Sequence, residues 1–251
     1  MAPVVSILVP NYRTKKLTML CLRLLKKYTD LQQAKVIVID NDSNDDSLSY
    51  LKTLSWITLI ERPSVPGETC VAAHARALDL ALGTVDTPYV LSIHTDTFVK
   101  NHSWLGYLLA KINASDRIAG VGSWKLEFKP FYKRLCKLLE RNIQRVYYRL
   151  INKTDHMLEG IGKNYYYLRS HCALYRTDLL RKYNLHFSDG DMVAGKYLHQ
   201  YLTEVGYQLL FLPSEELGQY LEHVNHATTV LNPELSTREN SVQKEIGRAH
   251  V

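Results

Sequence analysis

Short apolar runs alternate with helically spaced apolar positions through the first half of the chain. Residues 4–9, Val-Val-Ser-Ile-Leu-Val, form a largely apolar run stopped by Pro10 and read as a strand. Leu17, Leu20, Cys21, Leu24, Leu25 and Tyr28 then recur at helical spacing, and residues 34–40 return to a β-branched strand ending in Asp40. Strand, helix and strand in that order predict a parallel, right-handed crossover. The pattern continues with a short helix through Leu54 that Ser43, Asp45 or Ser47 can cap, and with a strand over residues 57–60. A helix with Ala73, Ala77, Leu80 and Ala81 on one face leads to Pro88 and the buried strand 89–94. A helix over 103–112 and a strand over 118–121 complete this half.

The second half changes character. Residues 165–175 read as a strand, Thr177 as the cap of a helix through Lys182, and Asp189-Gly190-Asp191 as the opening of a helix to Val205 that Gly206 stops. Residues 209–212 read as the last strand, before Pro213, and a polar tail follows from 233 to 251. Neither an internal repeat nor a low-complexity linker divides the chain. The expectation is one α/β domain over 1–232, with a mostly parallel central sheet and flanking helices, made of halves 1–122 and 123–232. Between 128 and 153, Lys129, Lys133, Lys137, Arg141, Arg145, Arg149 and Lys153 recur every four residues, with Phe128, Phe131, Leu135, Leu138, Leu139, Val146 and Leu150 on the opposite face. This predicts a basic amphipathic helix. It can lie on anionic lipid headgroups, form an oligomer contact, or pack on the domain with a solvated basic face.

Composition narrows the picture in three places. With 251 residues and 46% hydrophobic content the chain can bury one large core. The net charge of +6 matters through its concentration in the 128–153 segment. The four cysteines, Cys21, Cys70, Cys136 and Cys172, are scattered without a CxxC pair and read as reduced, buried thiols of a cytoplasmic protein. The N-terminus shows no leader pattern and no apolar run is long enough to span a bilayer, so a cytoplasmic location, peripheral on the inner membrane face if the basic helix docks there, is expected. Seventeen tyrosines and the basic helix would also suit nucleic acid. Acids at three strand ends would repel its phosphates, so no nucleic-acid partner is expected.

The candidate chemistry sits at strand ends. Asp40 leads into Asn41-Asp-Ser-Asn-Asp-Asp-Ser47, and the strand 89–94 runs into His94-Thr95-Asp96. Open α/β sheets bind their ligands beyond the carboxyl ends of their strands, so these two ends can face one ligand. Several motifs then occur in a fixed order: Ser6-Ile-Leu-Val-Pro-Asn-Tyr12, Val38-Ile-Asp-Asn-Asp-Ser-Asn-Asp-Asp-Ser47, Gly67 with the helix around 73–82, and Leu91-Ser-Ile-His-Thr-Asp96. After them come Ser170-His-Cys-Ala-Leu-Tyr-Arg176, Phe187-Ser-Asp-Gly-Asp-Met192 and Gly206-Tyr-Gln-Leu-Leu-Phe-Leu-Pro213. In this order they resemble the inverting family-2 glycosyltransferases of the GT-A fold, over residues 4–226.

That resemblance implies a sugar transferase with a UDP- or dTDP-linked donor, a glycan or lipid-linked acceptor, and a role in cell-surface polysaccharide or lipopolysaccharide synthesis. It implies that Pro10, Tyr12, Asp40, Asp42, His94 and Asp96 bind the nucleotide-sugar and that Asp189 is the catalytic base. His171, Arg169 and Asp191 fall on the acceptor side. A divalent metal, Mn²⁺ or Mg²⁺, is expected on Asp96 and His226, with His94 and His223 as further candidate ligands. The family's Asp-x-Asp element is here His94-Thr95-Asp96, which serves Mg²⁺ less well than Mn²⁺. The same substitution leaves open a catalytically silent nucleotide-sugar-binding relative. Asp45 and Ser47 read as helix caps.

Overall fold

The computed structural model describes residues 2–126, 139–144, 147, 160, 164–191, 193–224 and 231–232. Seven strands form one sheet: β1 (Val5–Asn11), β2 (Ala34–Asp40), β3 (Thr58–Glu61), β4 (Tyr89–Ile93), β6 (Ile118–Gly122), β7 (Cys172–Arg176) and β8 (Gln208–Phe211). Their order is β3-β2-β1-β4-β7-β6-β8, and all run parallel except β7, which is antiparallel to both of its neighbours. Two further short strands, β5 (Thr97–Val99) and β9 (Leu221–His223), pair antiparallel in a separate ribbon.

The helices are α1 (Lys15–Tyr28), α2 (Asp46–Lys52), α3 (Cys70–Leu82), α4 (Trp104–Ile112), α5 (Thr177–Lys182), α6 (Lys196–Glu204) and α7 (Ser214–Leu217). They cover the sheet on both faces, and the strands divide their side chains accordingly. Val5, Ile7, Val9, Val36 and Val38 pack with Leu22 and Leu25 of α1 and Trp104 and Leu108 of α4. The alternate residues Leu8, Ile37 and Ile39 pack with Ala75 and Leu78 of α3 and Leu198 and Leu202 of α6. The period of two along a strand sends neighbours to opposite faces, and two covered faces require apolar residues at both. That is why these strands are largely apolar at consecutive positions, as in Ile7-Leu8-Val9 and Val36-Ile37-Val38-Ile39.

Several expectations for the second half need correction. The strand expected over 165–175 is extended pairing only from Cys172; Arg169 instead turns the chain, its carbonyl accepting from Cys172 N at 3.1 Å. Asp189-Gly190-Asp191 does not open the following helix. It is a separate 3₁₀ turn with Gly190 at φ 74°, and α6 begins at Lys196 after Gly195 at φ 76°, so two left-handed residues break the backbone between them. Residues 208–211 are not the last strand, since β9 follows. Thr177 is the first residue of α5 and its side chain makes no capping bond. Cys70 is exposed at the start of α3, whereas Cys21 and Cys172 are buried.

Residues 139–144 are helical, within the expected basic helix. Leu139, Ile143 and Tyr147 stand exposed at i, i+4 and i+8, so Leu139 is not part of a buried face. The remainder of that segment, Cys136, His226 and the tail from 233 lie outside the described residues.

Candidate functional site

The parallel strands β1, β2 and β4 end at one edge of the sheet, and the antiparallel β7 begins there, because Cys172 pairs with Ile93. The loop after each strand therefore opens onto a common crevice. Two groups of polar side chains occupy it.

The first group closes the ends of β1 and β2. Asn11 Nδ2 donates to Asp40 Oδ1 at 2.6 Å and lies within 3.0 Å of both Ser43 Oγ and Ser47 Oγ. Ser43 donates from Oγ to Asp40 Oδ1 at 2.6 Å and from its backbone N to Oδ2 at 3.1 Å. Asp40 is 2% exposed, so its carboxylate braces the loop rather than standing free in the crevice. Asp42 and Asn44 take positive φ, 56° and 49°, as does Arg13 at 47°. Asp and Asn tolerate that region; Arg does so rarely, and here its Nε is tied to Ser43 O at 3.0 Å. Asp42 accepts from Ser64 N, and the Ser64 side chain, followed by this backbone bond, lowers its pKa. Pro10 and Tyr12 are half-buried beside this network, with the Arg13 guanidinium 5.1 Å from the Tyr12 ring centre. Asp45 caps α2 by accepting from Ser47 N at 3.0 Å, as expected.

The second group lies at the end of β4. His94 Nδ1 is 3.9 Å and His223 Nε2 3.3 Å from Asp96 Oδ1, and potential ligand atoms of the three residues all fall within 4.8 Å of one another. His223, read from sequence as lying beyond the last strand, is delivered by β9, which pairs Thr97 with His223; Val224 N also donates to Asp96 O at 2.9 Å. Asp96 Oδ1 and His223 Nδ1 are buried without a hydrogen-bond partner. Orphaned buried polar atoms of this kind are rare and call for a ligand.

Around the three stand residues that arrive from other elements. His171 is 3% exposed, stacks on His223 with ring centres 4.6 Å apart, and pairs its Nε2 with Ser123 Oγ at 2.8 Å. This burial leaves it little surface to offer an acceptor. His74, on α3, packs edge-on to His94 at 4.9 Å, and both rings reach Ser170 Oγ. Sequence reading missed His74 and Ser123, since nothing in the local pattern separates them from ordinary helix and strand-end residues. Arg169 lies over the Trp124 ring at 4.8 Å.

Burial disfavours the charged form of three of these imidazoles, His94, His171 and His74. A third of the His94 side chain reaches the surface, yet burial of the ring, followed by His74, His171, His223 and Arg169, holds its pKa below the ordinary histidine value. His171 is lowered by burial and then by His223 and Arg169, and burial lowers His74 to about 4. Neutral imidazoles keep the lone pairs that a metal needs. Two imidazole nitrogens and one carboxylate, with unpartnered atoms between them, fit a first-row divalent ion such as Mn²⁺ better than Mg²⁺, which prefers oxygen donors throughout.

Asp189 stands in a different environment. Its Oδ2 accepts from His186 N at 2.7 Å, its Oδ1 is 3.7 Å from His186 Nδ1, and its side chain is 28% exposed. The turn is tethered to α3 by Asp79, which accepts from Phe187 N at 2.6 Å and Ser188 N at 3.1 Å; burial is the main influence on Asp79 and raises its pKa. Because α3 also carries His74, one helix anchors both the Asp189 turn and the histidine cluster. The side chain of Asp191 is not among those described.

Three solved structures share the architecture. The mannosyltransferase PcManGT from Pyrobaculum calidifontis, in complex with GDP-Man and Mn²⁺, superposes with a TM-score of 0.58 at 17% identity, covering 85% of this chain and 55% of that one. TarS 1–349 from S. aureus gives 0.58 at 16% identity, covering 92% and 63%. Glucosyl-3-phosphoglycerate synthase from Mycobacterium tuberculosis, with Mn²⁺, UDP and glucosyl-3-phosphoglycerate, gives 0.52 at 18% identity, covering 86% and 75%. The chain thus spans a little over half the length of the first two. No curated protein matches the sequence. The sequence does match the description of glycosyl transferase family 2 over residues 6–184, more than half its length, and with the GT-A sheet around the His94–Asp96 strand end the chain belongs to that family.

Proposed function

We propose that this protein transfers a hexosyl or deoxyhexosyl unit, with inversion, from a UDP- or dTDP-linked donor to a hydroxyl of a glycan or lipid-linked acceptor, in the synthesis of a cell-surface polysaccharide or lipopolysaccharide. The observation that carries the reading is Asp96 Oδ1, buried and unpartnered between His94 and His223 at the ligand edge of the sheet. A divalent ion held there would offset the charge that develops on the departing nucleoside diphosphate. The β1 and β2 loops, locked by the Asn11–Asp40–Ser43 network, give the nucleotide a rigid floor, with Asp42, Pro10 and Tyr12 as the groups at its surface. Arg169 supplies a fixed positive charge beside the cluster.

Inversion requires a base that takes the acceptor proton as the hydroxyl attacks the face opposite the leaving group. Asp189 is assigned that role: one oxygen is held by His186 N, which orients the carboxylate, and the side chain keeps access to solvent. Asp191 remains the acceptor-side assignment from sequence, whereas His171 is too buried to be one. A lipid-linked acceptor is favoured by the exposed Leu139, Ile143 and Tyr147 within the basic segment, which suit the surface of an anionic bilayer. No described helix is long and apolar enough to cross one. A second reading, nucleotide-sugar binding without turnover, is favoured by His94 in place of the family's first acid.

The test is thermal stabilisation by a panel of nucleotides and nucleotide-sugars with and without Mn²⁺, alongside Asp96→Ala. Metal-dependent stabilisation by one sugar nucleotide, lost in Asp96→Ala together with transfer, is the expected result. Wild-type transfer by Asp96→Ala refutes the assignment, and wild-type binding without transfer to any acceptor selects the second reading.

A further inference from the structure

Ser170 Oγ stands 2.9 Å from His94 Nε2 and 3.1 Å from His74 Nε2. A hydroxyl carries one proton and two acceptor lone pairs, so it can donate to only one of these two nitrogens, and at least one ring must donate an N–H to it. Where Ser170 links the rings as both donor and acceptor, two arrangements are possible. In one, His94 carries its proton on Nε2 and gives it to Ser170, whose own proton goes to His74; His94 Nδ1 then has a free lone pair on the side facing Asp96 Oδ1. In the other the chain of donors is reversed, His94 carries its proton on Nδ1, and no lone pair faces Asp96.

We propose that Ser170, backed by His74, is a positioning pair that holds His94 in the first arrangement, so that Nδ1 is offered to a divalent cation shared with Asp96. The proposal rests on the metal reading above and adds to it the residues that decide which nitrogen binds. Ser170 is suited to the task because it is 7% exposed and sits in the turn that leads into β7, the strand paired to β4. His74 is suited because α3, capped by Thr69, holds its ring edge-on to that of His94 at 4.9 Å. Histidine ligands of metals generally donate their second nitrogen to such a partner, and loss of the partner weakens metal binding by about 10- to 100-fold. His223 lacks an equivalent: its Nδ1 has no partner and its ring is steadied by stacking on His171. Discrimination between the two His94 tautomers therefore falls to Ser170.

The test measures Mn²⁺ binding calorimetrically, in the absence of donor, for wild type, Ser170→Ala, Ser170→Thr and His74→Ala. Long-range nitrogen NMR of the Zn²⁺-loaded protein reports in parallel which His94 nitrogen carries the proton. Ser170→Ala is expected to weaken Mn²⁺ binding by about 10- to 100-fold, Ser170→Thr to restore it, and His74→Ala to weaken it less. His74→Ala places a strong helix former in α3 and so keeps the test available if Ser170→Ala fails to fold. In Zn²⁺-loaded wild type the His94 proton is expected on Nε2. Unchanged Mn²⁺ affinity in both alanine variants, equal losses in Ser170→Ala and Ser170→Thr, or a proton on Nδ1 would overturn the proposal while leaving the metal site standing. A wild-type protein that binds neither Mn²⁺ nor Zn²⁺ overturns the metal reading and the proposal with it.

Discussion

Single residues define the chemistry through what they lack as much as through what they touch. Asp96 and His223 each keep a buried atom without a partner, whereas Asp40, equally buried, has both oxygens engaged by Asn11 and Ser43. Two aspartates beyond the ends of β2 and β4 thus differ: one braces a loop, and the other keeps an oxygen that could bind a ligand. Asp189 differs from both in being partly exposed and held through one oxygen only. Asp189→Asn preserves shape and hydrogen-bond acceptance but cannot take a proton. Donor affinity should survive while the transfer rate falls by roughly 100-fold or more. Calorimetry with the nucleotide and a transfer assay separate the outcomes: loss of donor binding would move Asp189 to the donor site, and an unaffected rate would make Asp191 the candidate base. Of the residues involved, Asp40, Asp96, His94, His223 and Asp189 were legible in the sequence because each ends or follows a recognisable run. His74 was not, because a histidine on a helix has no local signature of the strand it will face.

Among the elements, β7 does most to assemble the site. Running antiparallel between β4 and β6, it brings Ser170 and His171, just before its first residue, to the edge where the parallel strands finish. Its junction with β6 is tight: a Cβ on Gly122 would lie 2.3 Å from Cys172 O and 3.1 Å from Ala173 Cα, both backbone atoms that cannot rotate away. Gly122→Ala should therefore force the strands apart beside the Ser123–His171 contact. The expected cost is roughly 1–3 kcal/mol or more, typical of overpacking. An unchanged urea midpoint would show that the junction can relax. The basic segment is a second element with a consequence. Replacing Lys137 and Arg141 by Glu should reduce sedimentation with anionic vesicles, each charge near such a surface being worth about 1 kcal/mol. Unchanged sedimentation leaves the solvated-face alternative.

For the molecule as a whole, buried histidines couple folding to pH. His74 and His199 are both lowered to about 4 by burial, and His94 and His171 are lowered as well. His199 has a direct reason to stay neutral, because its Nδ1 accepts from Leu168 N at 3.3 Å. In the unfolded chain these rings take up protons near 6.5, while in the folded protein His74 and His199 resist until about pH 4. Between those values the unfolded state binds more protons, so stability is present in full above about 6.5 and falls as the pH drops towards 4. Melting temperature should decline over that window at constant ionic strength, and His199→Gln should make the decline shallower. A melting temperature that is flat from pH 7 to 4 would refute neutral burial of these rings.

The sequence alone determined the parallel α/β order, the continuity of the core strands and the strand ends that carry Asp40 and Asp96. Those properties follow from local periodicity, and a strand buried on both faces or a helix buried on one must write that fact into consecutive residues. It also determined family membership, because the motifs keep their order along the chain. Only the tertiary structure decided that Asp189 sits in its own turn, that β9 returns to β5 with His223, and that His74, Ser123, Ser170 and His171 converge on His94 and His223. Those contacts join residues as far apart as 96 positions for His74 and Ser170 and 126 for Thr97 and His223. No period along the chain encodes such a meeting; it is fixed by which strands pair, which face a helix covers, and where the antiparallel strand is inserted.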